Sequence, residues 1–362
     1  MLMCADTIET RPRLSAPILP QPRPPVVDRL REPKDLAIYY GYPSLVNGAA
    51  GVAKTAAAVF ERYDVVVFGD GLEFGPGSEI QQKHPAHADH ETTKEIIALL
   101  REAPNSPVVY GYVALGHSQG LALPELQRRV ALWGDMGVHG VFLDEAGYDF
   151  GVTRARQNAI VDYIHGRGLR AFVNAYNPDD VFSSDRVVLP NGGGNPNGES
   201  GRLGPGDAFL LESFQVKNGA YEEAAAWMAR TARAVRYRGG TGADLFAVTT
   251  TSDRRQFSTA QFEYAWWSAL LWSLDGFGWG EASFGSASSL LPWHPRSPRS
   301  LVPFGLRFTT DLRQDGDRYW RGTDRGRLVI DAARHTGAFV GEQKSLPQVP
   351  RASPRGSQHH LR

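Results

Sequence analysis

Short runs of apolar, β-branched and aromatic residues alternate along this chain with longer stretches whose apolar positions recur at helical spacing. Eight of the short runs predict strands, at residues 36–42, 65–70, 108–116, 140–144, 170–176, 208–214, 245–251 and 274–280. Helices are expected between them at 51–63, 90–102, 123–136, 153–168, 221–238 and 259–273. The connection from the fifth to the sixth strand differs, because Asn191-Gly192-Gly193-Gly194-Asn195 predicts a long loop where a helix would complete the alternation. Most of the strand runs are continuously apolar, as strands buried on both faces must be, so the pattern predicts a parallel sheet clothed in helices. The fold class is therefore α/β, a (β/α)8 TIM barrel over residues 36–281.

A barrel of this kind takes about 250 residues, so a chain of 362 leaves appendages rather than a second large domain. Residues 1–35 are rich in proline (Pro17, Pro20, Pro22, Pro24, Pro25) and read as a flexible leader with no apolar core of signal-peptide length, which is cytoplasmic by sequence but leaves the location open. Residues 282–341 carry the turn signals Asp315-Gly316-Asp317 and Asp324-Arg325-Gly326 and predict a small β-rich unit packed on the barrel. Residues 342–362, rich in Pro, Ser and Arg, read as a disordered tail. No stretch reaches the ~20 apolar residues a membrane helix needs, so no membrane partner is expected. The 39 basic and 39 acidic residues cancel, which removes the attraction that drives non-specific nucleic-acid binding. The single cysteine, Cys4, excludes an internal disulfide, and a monomer without cofactors is expected.

In a barrel the chemistry sits where strands end, and these ends are acidic. The second strand stops at Asp70, the fourth at Asp144-Glu145 and the sixth at Glu212, each after an apolar run that makes a carboxylate costly unless it is paired or used. Alternation puts Phe142 with Asp144, and Leu210 with Glu212, on one face of their strands. If that face is inward, two carboxylates converge from strands two apart, which is what cleavage of a sugar bond requires. Glu212 is then expected as general acid and base, with a raised pKa, and Asp144 as nucleophile or as the orienting partner of a substrate acetamido group; the reverse assignment is also open. The plain structural alternative has Asp144 and Glu145 paired with Arg154 or Arg156, or capping the next helix. Sugar contacts are expected from Tyr40, Asp70, Tyr112, His117, Asn174, Tyr176 and Trp279 at or near strand ends, core packing being the alternative for each aromatic.

Two rival constellations are weaker. Gly116-His117-Ser118-Gln119-Gly120 matches the nucleophile elbow of esterases, but Pro124 falls where the helix behind the serine should run, and no oxyanion segment precedes it. His84, His87, Asp89 and His90 hold zinc-binding groups at loose spacing interrupted by Pro85, so no metal is expected. A non-catalytic carbohydrate-binding barrel is a further alternative, though a mere binder needs no convergent acid pair.

The chain also resembles the spherulation-specific family 4 proteins, with glycoside hydrolase family 135 among them. The resemblance runs through Ile38-Tyr39-Tyr40-Gly41-Tyr42-Pro43, Gly75-Pro76-Gly77, Gly111-Tyr112-Val113, Val141-Phe142-Leu143-Asp144-Glu145-Ala146, Asn174 with Asn177-Pro178, and Leu211-Glu212-Ser213-Phe214. It covers residues 36–280 and departs where Phe68 to Phe74 lacks the Asn-Pro usual before Gly-Pro-Gly. A similar arrangement occurs in the endo-α-1,4-polygalactosaminidases of family 114. The resemblance implies cleavage inside chains of galactosamine or N-acetylgalactosamine, with acids at Asp144, Glu145 and Glu212.

Overall fold

The computed structural model describes residues 29–77, 89–251, 257–280 and 304–341. Eight parallel strands close into a barrel: β1 (Lys34–Tyr39), β2 (Val65–Phe68), β3 (Val108–Ala114), β4 (Gly140–Asp144), β5 (Arg170–Asn174), β6 (Ala208–Leu211), β7 (Asp244–Thr250) and β8 (Gly276–Gly280). Each pairs with its sequence neighbour, and β8 closes on β1 through Lys34 opposite Gly276. Helices α1 (Ala53–Phe60), α2 (His90–Glu102), α3 (Leu123–Asp135), α4 (Arg154–Gly166), α5 (Asp179–Phe182), α6 (Ala224–Thr241) and α7 (Thr259–Leu271) follow β1 to β7 in turn. The expected weak connection is real: α5 has four residues, and the glycine-rich stretch instead pairs Gly194 with Val188 in a small antiparallel bridge.

Strand alternation divides the core in two. Leu36, Ile38, Val65, Val67, Tyr110, Tyr112, Phe142, Phe172, Leu210, Phe246 and Val248 fill the barrel, while their neighbours in the strands pack outward against the helices. Five aromatic rings therefore share the interior, with Phe172 at 5.3 Å from Tyr110, 5.1 Å from Phe142 and 5.2 Å from Phe246. Glycine makes the room. A Cβ on Gly276 would lie 2.2 Å from the Phe246 ring and one on Gly140 would lie 2.5 Å from Tyr110. On the outer face Gly111 does the same for Trp133 of α3, whose indole N–H donates to the Tyr112 carbonyl at 2.9 Å.

Four antiparallel strands, β9 (Arg313–Asp315), β10 (Arg318–Thr323), β11 (Gly326–Asp331) and β12 (Thr336–Gly341), form the appendage, turning at the two predicted Asp/Gly sites. The sheet packs on α7, where Gly337 lies against Trp267 and Phe304 lies 5.4 Å from that ring. Residues 29–31, assigned with the leader by sequence, are tied down: Arg31 pairs with Asp275, and the Leu30 N–H donates to the Leu306 carbonyl at 3.1 Å. Among the described residues no helix is long and apolar enough to cross a membrane.

Candidate active site

The inward face of β4, β5 and β6 carries Asp144, Asn174 and Glu212 to the C-terminal mouth of the barrel. Their backbones are held by the sheet: the Asp144 carbonyl accepts from Leu115 N–H and the Asn174 carbonyl from Ala146 N–H, both at 2.9 Å. Immediately after each acid the chain enters the left-handed region, at Glu145 (φ 54°) and Ser213 (φ 54°). Such a conformation is costly for a residue with a side chain, and here it turns the backbone away sharply so that each carboxylate stands alone at a strand end.

One side-chain amide joins the pair. Asn174 Nδ2 donates to Asp144 Oδ1 at 2.8 Å and to Glu212 Oε2 at 2.7 Å. Asp144 Oδ1 also accepts from the Glu145 backbone N–H at 2.9 Å, and the Tyr112 hydroxyl hydrogen-bonds the same carboxyl. Burial raises the Asp144 pKa to about 6, aided by the charge of Glu212, while the bonds from Asn174, Glu145 and Tyr112 oppose the shift. Asp144 thus has the raised carboxyl pKa that the sequence expects of a proton donor.

Tyr40 and Tyr112 complete the rim, edge to face with ring centroids 5.1 Å apart. Burial raises both hydroxyl pKa values; among the charges, Asp144 comes first for each, and Asp70 also contributes to both. Gly69 lets Tyr40 in, since a Cβ there would lie 2.7 Å from the Tyr40 Cα. Asp70 stands beside the tyrosines with Oδ2 accepting from Gln119 Nε2 at 2.8 Å and Oδ1 from Arg129 Nη1 at 2.7 Å. Asp144, Glu212, Asn174, Tyr40, Tyr112 and Asp70 therefore gather at one place.

Four of the sequence candidates do not join them. The Glu145 side chain folds over Gly116 and accepts from the Ser118 N–H at 3.3 Å, because its left-handed backbone redirects it to the third loop. His117 is spent on the Phe150 carbonyl. Tyr176 sits at the margin, its hydroxyl bonded to Glu222 at 3.1 Å and its ring approached by Arg230 at 4.4 Å and Lys217 at 4.8 Å. Trp279 is a correction: glycines occupy the inward positions 276, 278 and 280 of β8, so Trp279 faces out and packs on Phe257 at 4.9 Å and Phe262 at 6.4 Å.

The arginine-pairing and esterase readings lose their support. Arg154 bonds the Val181 and Ser183 carbonyls and Tyr148, Arg156 bonds the Leu115 and Leu121 carbonyls, and Thr153 caps α4, so neither arginine neutralises Asp144 or Glu145. Ser118 lies in a turn of a closed barrel, five residues before α3 begins at Leu123 with Pro124 in its first turn, and its neighbour His117 is engaged elsewhere. His84 and His87 lie outside the described residues; His90 Nδ1 is 2.7 Å from the Leu72 carbonyl. Among the described residues no group of three or more His, Cys, Asp or Glu could hold a metal. Sequence reasoning missed Arg129 and Glu73 behind Asp70. Arg129 was findable, because it shares the helical stripe of Leu126, Val130 and Trp133 that α3 buries.

No family model and no curated protein matches the chain. Solved structures similar to it include the glycoside hydrolase domain of PelA from Pseudomonas aeruginosa (14% identity, 71% of this chain and 99% of that one, TM-score 0.39). Ega3 from Aspergillus fumigatus in complex with galactosamine is another (11%, 71% and 94%, TM-score 0.39). A third is the tryptophan synthase alpha subunit of Legionella pneumophila (11%, 69% and 81%, TM-score 0.36). A barrel serves many reactions, so function must be argued from the site.

Proposed function

We propose that this protein is a glycoside hydrolase that cleaves internal bonds of a galactosamine- or N-acetylgalactosamine-containing polysaccharide through Asp144 and Glu212. The observation that carries the reading is the Asn174 amide shared by both carboxyls, at 2.8 and 2.7 Å. The two oxygens bound to that nitrogen can be no farther apart than those bonds laid end to end, about 5.5 Å, which favours the close spacing of a retaining pair over the wider gap of an inverting one. The amino-sugar polymer rests on the sequence resemblance, and an acidic mouth suits a sugar that carries an ammonium group.

The retaining cycle then follows. Asp144, raised to about 6, holds the proton in the resting pair and delivers it to the leaving glycosidic oxygen as Glu212 attacks the anomeric carbon. A glycosyl ester on Glu212 results. Asp144, now ionised, takes a proton from water as that water attacks the same carbon, which releases Glu212 and restores the pair. Tyr40, Tyr112 and Asp70 form the wall and the hydroxyl contacts for the ring.

Incubating the full chain with partially acetylated galactosaminogalactan should release oligosaccharides detectable by mass spectrometry, and proton NMR of the first products should show retained anomeric configuration. Inverted product would exclude double displacement. Absence of any product across amino-sugar polymers would exclude the substrate class.

A further inference from the structure

Behind the mouth lies a buried charge cluster that the catalytic pair does not use. Arg129, on α3, is 3% exposed and stacks on Phe74 at 4.9 Å. Its guanidinium faces three carboxyls: Asp70 at 2.7 Å, Glu73 at 3.5 Å and Glu125 at 3.5 Å. Glu125 has a second cation, since Arg128 binds both its oxygens at 2.8 Å. Asp70 and Glu73 therefore compete for the one charge of Arg129. Glu73 is the poorer competitor: it is fully buried and stands 3.5 Å from the guanidinium where Asp70 makes a 2.7 Å bond, with the backbone N–H groups of Gly71 and Glu73 as its other polar neighbours. Complete burial disfavours the charged form of a carboxyl that is only weakly paired, so the proton of the cluster is best placed on Glu73 and the close bond of Arg129 goes to Asp70.

We propose that Arg129 is a positioning residue of the active site, holding the Asp70 carboxylate at the barrel mouth for substrate only while the buried Glu73 is protonated. This deepens the hydrolase reading and rests on it for the substrate, not for the coupling. Asp70 is the link because it is partly open at the mouth, fixed on its other oxygen by Gln119, and felt by the hydroxyls of both Tyr40 and Tyr112. When Glu73 ionises, Arg129 is divided between two carboxylates, its bond to Asp70 weakens, and the Asp70 oxygens lose their set orientation. The charged and titratable groups on the elements around Glu73 are Arg128, Arg129 and Glu125 of α3, Asp70 of its own loop, and His90 of α2, whose ring meets the neighbouring Leu72 carbonyl and Gly75. Burial is the largest influence and lifts the Glu73 pKa to about 8, with Arg129 opposing and Asp70 adding to the rise.

The test uses the full chain with carboxyl-labelled Asp and Glu, followed by carbon-13 NMR across pH. In the wild type the Asp70 signal should move in a step centred near pH 8, the Glu73 midpoint, and Glu73→Gln should abolish that step while the spectrum otherwise stays folded. In activity assays the wild-type KM should rise severalfold across the same step while kcat does not follow it. Glu73→Gln should keep the low KM at alkaline pH. Arg129→Lys, which preserves charge but not the fork, should raise KM at every pH. An Asp70 signal that titrates identically in wild type and Glu73→Gln overturns the proposal, whether or not the chain cleaves any polymer. A protein that cleaves nothing yet shows the coupled step overturns the hydrolase reading alone.

Discussion

Asp144 is where chemistry and stability oppose each other. Its folded pKa of about 6 lies above the ordinary 3.8. A carboxyl raised in this way contributes its full stability below the unfolded pKa and loses it as pH climbs from about 4 to about 6, so at neutral pH the ionised group is a burden on the order of 2–3 kcal/mol. Asp144→Asn should consequently be folded at pH 7 and melt no lower than the wild type, while its turnover falls roughly 10²–10⁴-fold. Glu212→Gln should be as inactive. A substrate with a good leaving group should restore Asp144→Asn and not Glu212→Gln; the opposite pattern would return the proton-donor role to Glu212. Asn174 makes a second prediction. Its amide lowers the Asp144 pKa, so Asn174→Ala should slow turnover at least about tenfold and move the alkaline limb of kcat upward from its wild-type position near pH 6. A pH–rate profile measures that displacement, and an unmoved limb would mean that the amide does not set the proton on this pair. These residues were legible in part. Alternation along the apolar runs correctly turned Asp144 and Glu212 inward, whereas the Asn174 bridge joins three strands and no local pattern encodes it.

At the scale of elements, strands were easier to read than the turns leaving them. Apolar runs place β1 to β8 because a strand buried on both faces tolerates little else. The positive φ at Glu145 and Ser213 has no such signature, since neither is glycine; alternation separated Glu145 from Asp144, but only the structure shows its side chain turned to the Ser118 N–H. Trp279 failed for another reason: as an aromatic at a strand end it suits a sugar platform, but the glycines flanking it in β8 take the inward positions that Phe246 and Leu36 need kept clear. The same packing logic predicts that Gly111→Ala is severe. The added methyl would lie 2.0 Å from the Trp133 ring, in a rigid contact between β3 and α3 where overpacking costs about 1–3 kcal/mol or more. Denaturant titration should show that loss with little change in KM, because the outer face of β3 is remote from the mouth. A stability within 0.5 kcal/mol of wild type, the ordinary range of ~0.5 for surface changes, would show that α3 can yield.

For the whole molecule, the appendage behaves as part of the barrel's cover rather than as a separate module. Its sheet lies on α7, Phe304 packs 5.5 Å from Phe339 and 6.0 Å from Trp266, and Arg321 reaches the Leu271 carbonyl at 3.3 Å. Deleting residues 304–341 should strip Trp266 and Trp267 of cover and yield an aggregating or markedly less stable protein, whereas a chain trimmed to 29–341 should melt in one transition and keep its turnover. Calorimetry distinguishes the outcomes, and a barrel that folds and works without the appendage would make it dispensable. What the sequence by itself determined was the barrel, its eight strands and the inward face of its two acids, because these follow from periodicity, which is a local property of burial. What only the tertiary structure decided was which polar groups meet: Asn174 between two carboxyls, Arg129 between Asp70 and Glu73, and the burial that raises the Asp144 pKa. Those depend on side chains from distant strands and helices sharing a few ångströms of buried space, where desolvation and one misplaced charge outweigh any preference written along the chain.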